Sequence, residues 1–222
     1  VGTIEPPEAA SPRWQRRPEA RPEEIIDAAE AVFSDCGFDR AKLEDVARRA
    51  GVSKGTLYLY FDSKEALFRA MIRARIEPIL AEWEEIVRGH SGSCRDLLIL
   101  YMQRVWDTAR QPARARIARL VSSELDDFPE LAEWYYNEII QRAKRVGRDI
   151  IERGIASGEF RPEARDFAPQ GICSMLVHGA QLQRFFSRFD PAARSDDEIV
   201  RGAVDLALHA VLIHQPEPAS PS

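Results

Sequence analysis

Apolar residues along this chain recur three and four positions apart, and no stretch alternates convincingly at period two, so the pattern predicts an all-α protein. A first helix opens at Pro22, whose fixed φ suits a first helical position, with Glu23 and Glu24 complementing the positive end of the dipole. Ile25, Ala29, Val32 and Phe33 form its inner face, and Gly37 stops it. Two short helices follow around Gly51 and Val52. A long helix then runs from about Ser63 to Arg88, with a kink expected at Pro78 and a start marked by Asp62 and Glu65 at capping-box spacing. Further helices are predicted at about Cys94 to Arg110, Ala113 to Leu125, Pro129 to Ser157, Phe167 to Arg188 and Asp196 to His214, making about nine in all.

The ends read differently. Residues 1–22 hold five prolines among Ala, Glu and Arg, and 215–222 are similarly proline-rich, so both are expected as a flexible arm and tail. Arg13, Arg16 and Arg17 around Trp14 belong to that arm. The 222 residues leave room for a sizeable core, and 45% hydrophobic against 30% charged is an ordinary globular balance. A net charge of -5 argues against bulk coating of nucleic acid, but the charge is uneven. Residues 40–75 carry nine Lys or Arg against four Asp or Glu, whereas 76–222 carry 18 against 23. That asymmetry also disfavours a DNA-bending protein, which needs basic charge over most of its surface. Three cysteines without paired spacing suggest neither a disulfide framework nor a metal site, and no cofactor motif is present. With no apolar run near the ~20 residues that cross a bilayer and no signal-peptide core, a cytoplasmic protein with no membrane partner is expected.

The informative stretch is LEDVARRAGVSKGTLYLYF, residues 43–61. A helix-turn-helix needs a small residue where its helices cross, a turn glycine at positive φ, and apolar residues that lock the angle. Ala47, Gly51, and the set Val46, Ala50, Val52 and Leu57 supply these, and Ser53 is a natural N-cap for the second helix. Lys54, Gly55, Thr56, Tyr58 and Tyr60 are then shared between a DNA groove and structural support, with one tyrosine expected to be mostly buried. A nucleotide-binding loop is excluded by order, since Lys54 precedes Gly55 and a helix, not a strand, precedes the turn. Arg48 and Arg49 read as a solvated face. Lys64, in the first turn of the long helix, opposes the dipole and so needs a partner, for which a DNA phosphate is the candidate and a solvated side chain the alternative.

The run GVSKGTLYLYFDSKEALF, together with AVFSDCGFD at the end of the first helix, resembles the DNA-binding domain of TetR-family transcriptional regulators over roughly residues 24–70. The later segment ELDDFPELAEWYYNEII resembles the C-terminal domains of the AefR-like and AcrR-like branches. The resemblance implies a ligand-responsive homodimer, most often a repressor of a palindromic operator. It also implies a helix-turn-helix domain at 23–66 and an effector-binding and dimerisation domain at 67–214. By position, Thr56, Tyr58, Tyr60 and Lys64 match the family's phosphate and groove contacts, and Lys54 and Gly55 open the recognition helix. Ala41 and Lys42 depart from the family's hydroxyl residues, leaving Asp39 as candidate cap and Lys42 as candidate phosphate contact.

In the C-terminal half, aromatic residues sit on amphipathic helices, where they either line a pocket or fill a core. Tyr101, Trp106, Trp134 and Tyr135 are the candidates for a small-molecule effector site, with Glu124, His178 and Gln181 as polar orienting groups. A lone His178 between Val177 and Gly179 reads more readily as a hydrogen-bonded core histidine than as a ligand-binding group. No nucleophile, base and orienting group assemble into an active site, so an enzyme is the disfavoured class. For dimerisation the last two long helices are the candidates, with Gly171, Gly179 and Ala180 permitting close approach and Leu182, Phe185, Leu208 and Leu212 offering apolar area.

Overall fold

A computed structural model describes residues 21–124 and 126–213. The order is α1 (Arg21–Arg40), α2 (Leu43–Arg49), α3 (Lys54–Tyr58), α4 (Lys64–Gly89), α5 (Cys94–Ala109), α6 (Pro112–Glu124), α7 (Pro129–Tyr135), a π turn (Tyr136–Ile140), α8 (Gln141–Ala156), α9 (Ala164–Phe186), a 3-10 turn (Ser187–Phe189) and α10 (Asp196–Val211). The π turn joins α7 and α8 into one rod, so the described residues form nine helices, as the apolar spacing predicts. The proline-rich tail and all but the last two residues of the arm, Trp14 and its arginines included, lie outside the described residues.

Local chemistry sets most of the boundaries. Gly37 leaves the helical region at φ 80°, and α1 bends there before Arg40. Ser63, and not Asp62, caps α4: its hydroxyl accepts from the Ala66 amide at 3.0 Å, one residue later than the expected capping box. A complete box forms instead on α10, where Ser195 and Glu198 exchange side-chain and backbone hydrogen bonds. Pro78 removes one amide donor without ending α4. The single helix expected over 129–157 is interrupted by the π turn, whose extra residue rotates the apolar stripe so that Ile139 turns into the core.

One cluster holds the two halves together, and a second closes the far end of the larger one. Phe33 and Phe38 of α1 and Phe68 of α4 stack with centroids 5.1–5.8 Å apart, and Phe128, just before α7, closes on Phe38 at 4.9 Å. The three-helix N-terminal unit is thereby bolted to the larger one. At the far end Phe160 is fully buried against Gly154 of α8, and the backbone at Phe160 pairs with Leu212 beyond α10. Glu159 reaches the free amides of Cys94 and Arg95 at 2.9 and 3.1 Å, capping α5 from a distant loop.

Candidate nucleic-acid interface and effector cavity

The corner between α2 and α3 is built as its residue types require. Val46, Ala47 and Leu57 are buried, and Val52 packs against them partly covered. Gly51 takes φ 66°, and the Val52 amide returns to the Ala47 carbonyl at 3.0 Å. Ser53 caps α3 by accepting from the Thr56 amide at 3.0 Å, with its hydroxyl 2.8 Å from the Thr56 hydroxyl. With the inner face locked, Ser53, Lys54 and Gly55 are exposed and Thr56 is half-buried. Tyr58 and Tyr60 keep 42% and 41% of their surface exposed, so neither is the buried tyrosine expected, because Leu57 alone fills the space under α3. Lys42 is exposed ahead of α2.

Two lysines have intramolecular partners. Lys54 Nζ lies 2.5 Å from Glu44 Oε1, and this hydrogen bond lowers the Glu44 pKa and raises that of Lys54. Both groups are exposed, so the pair is weak and exchangeable. Lys64 donates to the Phe38 and Asp39 carbonyls at 2.8 and 2.9 Å and sits 4.5 Å above the Phe38 ring. The partner that its place in a helix first turn calls for is thus the end of α1. Asp39 does not cap α2; its carbonyl accepts from Lys64 and its amide donates to Glu124 Oε2 at 3.4 Å. Arg48 and Arg49 pair with Asp45 and Asp35 in solvent, as a solvated face does.

The effector candidates do not form one site. A cavity of about 180 Å³ lies between α4, α5, α6, the rod formed by α7, the π turn and α8, and α9, walled by Ile76, Ile79, Leu80 and Ile117 among others. Tyr135 and Gln181 line it; burial pushes the Tyr135 pKa up to about 12, keeping its hydroxyl protonated. Tyr101 is buried just behind, beside the Cys173 thiol and edge-on to Trp83 at 5.7 Å. The others lie elsewhere. Trp106 packs against Gly179 on a different face, and Trp134 stacks between Arg69 and Arg73 of α4. Glu124 is buried between α6 and the bend of α1, touching the Asp39 amide, so it joins the two units and does not meet the cavity. His178 is exposed, because it falls on the outer stripe of α9.

Sequence reasoning missed Trp83 and Arg114, which also line the cavity. Trp83 had a signal, since it continues the α4 stripe Ile76, Ile79, Leu80 at helical spacing. Arg114 had none among the many arginines of α6.

The proposed dimer residues also divide. Ala180 and Leu208 are buried within the protomer, Gly179 is covered by Trp106, and Leu212 is half-buried in the bridge to Phe160. Gly171, Leu182 and Phe185 remain exposed on α9, joined on α10 by the exposed Leu206 and on the segment after it by Ile213.

A capped recognition helix held outward by a locked corner, ahead of a larger helical unit with an apolar cavity, defines a ligand-responsive helix-turn-helix transcription regulator. Residues 25–71 match the tetR family of bacterial regulatory proteins, and residues 96–210 match the C-terminal domain of AefR-like transcriptional repressors. The second match alone spans over half the chain, and the protein belongs to the TetR family, with an AefR-like C-terminal domain. It is similar to the HTH-type transcriptional repressor KstR2 of Mycolicibacterium smegmatis, 24% identical over 153 residues, covering 69% of this chain and 74% of that protein. Its fold is that of a TetR-family regulator from Mesorhizobium loti, with a TM-score of 0.72 at 21% identity over 90% of this chain and all of that one. FadR from Bacillus subtilis, solved in complex with stearoyl-CoA, superposes with a TM-score of 0.67 at 22% identity, covering 86% of this chain and 99% of that one. The chain is a DNA-binding transcriptional repressor that responds to ligands, and regulators of this family are transcription factors, not enzymes. No helix among the described residues is long and apolar enough to cross a membrane.

Proposed function

We propose that the protein works as a twofold homodimer that reads a palindromic operator through α3 and leaves it when a small apolar or aromatic effector fills the cavity. The observation that carries this reading is the α2–α3 corner. Its inner side is locked in the core, while Ser53 to Tyr60 turn polar and aromatic groups outward within the most basic part of the chain. Lys42 contacts phosphate, and Lys54, Gly55, Thr56, Tyr58 and Tyr60 meet the groove and the backbone beside it. The Lys54 bond to Glu44 gives way on binding, since an exposed pair contributes little. Lys64 serves the interface by holding the end of α1 under α4, not by touching DNA.

Dimerisation follows from the exposed stripe on α9, where Gly171, His178, Leu182 and Phe185 share one face at spacings of three, four and seven, continued on the neighbouring segment by Leu206 and Ile213. Pairing these with their symmetry mates gives a four-helix bundle that sets two α3 helices about one DNA turn, roughly 34 to 36 Å, apart. The stearoyl-CoA bound by B. subtilis FadR supports an effector with an apolar part. The experiment is selection of bound fragments from a random duplex library followed by sequencing. An enriched inverted repeat is the expected result; enrichment of no sequence, or of an unrepeated one, defeats the reading.

A further inference from the structure

We propose that the effector is a small organic carboxylate, an apolar body about the size of one ring bearing a single anionic group, and that Arg114 receives that group. This inference rests on the reading of the cavity as the effector site and names the ligand class. Among the described residues, Arg114 is the one charged residue that lines the cavity. The neighbouring guanidiniums of Arg75 and Arg116 each have a carboxylate. Arg75 binds Asp27 and, at 2.6 Å, Glu30; Arg116 reaches Glu30 at 3.6 Å. Arg114 donates only to the Arg75 main-chain carbonyl. Burial, reinforced by the Arg75 charge and only partly offset by Glu30, pushes its pKa down; this guanidinium, which stays protonated, has no carboxylate in direct contact.

A second, independent observation points the same way. The Trp83 indole N–H is buried in the cavity wall with no acceptor, whereas the Tyr101 hydroxyl behind it meets the Cys173 thiol. Buried polar groups are rarely left so, and the unmet need here is for acceptor atoms. Size limits the rest. The cavity's 180 Å³ is close to the roughly 150 Å³ that holds a benzene, so one ring or a short chain fits it as it stands. A coenzyme A ester brings several phosphate charges, and one arginine is a poor match for them.

The same contact supplies the coupling. Arg114 on α6 grips α4 at Arg75, whose side chain grips Glu30 and Asp27 on α1 of the DNA-reading unit. A carboxylate on Arg114 replaces the Arg75 carbonyl with a stronger, charge-assisted and bidentate acceptor, and so releases α4 at the residue that holds α1.

The test is calorimetric titration of the full chain with benzoate, phenylacetate and hexanoate, each against its neutral amide, and with hexanoyl-CoA. At least one acid is expected to bind about tenfold or more tightly than its amide. Arg114→Gln should abolish that preference, and Arg114→Lys should restore part of it. Thermal unfolding of both variants near the wild-type temperature establishes that they fold. Equal affinity for acid and amide overturns the proposal, as does the absence of binding by all three acids up to about 10 mM, or tighter binding of hexanoyl-CoA than of hexanoate. The acid that binds is then added to the complex with a selected duplex. Weakened DNA binding, matched by equally weakened acid binding in the complex, supports both readings. An Arg114-dependent acid preference with no effect on DNA upholds the carboxylate site and overturns the effector role.

Discussion

Replacing Lys64 by Met keeps the stem that covers Phe38 and removes only the ammonium. Two hydrogen bonds to the last carbonyls of α1 disappear, at 2.8 and 2.9 Å, along with a cation over the Phe38 ring. Hydrogen bonds to a charged group contribute about 1.5–3 kcal/mol each when well shielded, and the lower end applies to a half-buried lysine whose carbonyls partly rehydrate. A cation–π contact adds about 0.5 kcal/mol, and removing a positive charge from a helix first turn returns about 0.3–0.5. The net expectation is a loss of about 3 kcal/mol, which in a chain of this size lowers the Tm by about 6–12 °C. A phosphate contact leaves a different trace. It would leave stability nearly unchanged and make the dependence of log affinity on log salt shallower by about 0.9. Thermal unfolding and fluorescence anisotropy on a selected duplex at several salt concentrations separate the two. An unchanged Tm with a shallower salt slope would refute the structural role assigned to Lys64.

Three further perturbations probe other joints. Gly154→Ala places a methyl 2.0 Å from a ring carbon of the fully buried Phe160, so despite alanine's better helix propensity the variant should lose about 2 kcal/mol in denaturant unfolding; an unchanged midpoint contradicts that packing. Glu159 is held below the ordinary carboxylate value of 4.5, chiefly by the Cys94 amide, so its contribution is complete above about pH 4.5 and is lost as pH falls through the lowered value. Glu159→Gln should cost about 1 kcal/mol at neutral pH, with the gap to wild type closing in acid, and a pH-independent gap excludes the capping carboxylate. Leu182→Asp with Phe185→Asp alters two exposed residues and should yield a folded monomer in sedimentation, whereas a dimer at micromolar concentration sends the interface elsewhere.

The helix-turn-helix was legible because its information is local. Gly51, Ser53 and the apolar set from Val46 to Leu57 act within a dozen residues, and each requirement is met by the neighbour that periodicity predicts. The later half was legible as helices but not as surfaces. On α9, Ala168, Ile172, Leu176 and Ala180 face inward while Leu182 and Phe185 face out, so apolar residues occupy two stripes of one helix. Spacing alone cannot assign a stripe to the protomer core or to a partner, and for that reason Ala180 and Leu208 were expected at the dimer face and His178 at the pocket. The cavity posed a related problem. It is closed by five elements, and Arg114 gains its meaning only where α6 crosses α4, a relation between residues 39 positions apart. Lys64 illustrates the reverse: its need for a partner was readable from the helix dipole, but the partner came from the tertiary approach of α1.

The central claim, that two α3 helices on a twofold axis read half-sites one turn apart, is tested most directly by spacing. A selected duplex is compared with the same duplex carrying five extra base pairs between its half-sites, which rotates one half-site to the opposite face of the helix. Measured by anisotropy at fixed salt, affinity should fall by about a hundredfold or more, toward the level of unrelated DNA. Equal affinity for the two duplexes would mean that each helix-turn-helix binds on its own and would contradict the dimeric reading.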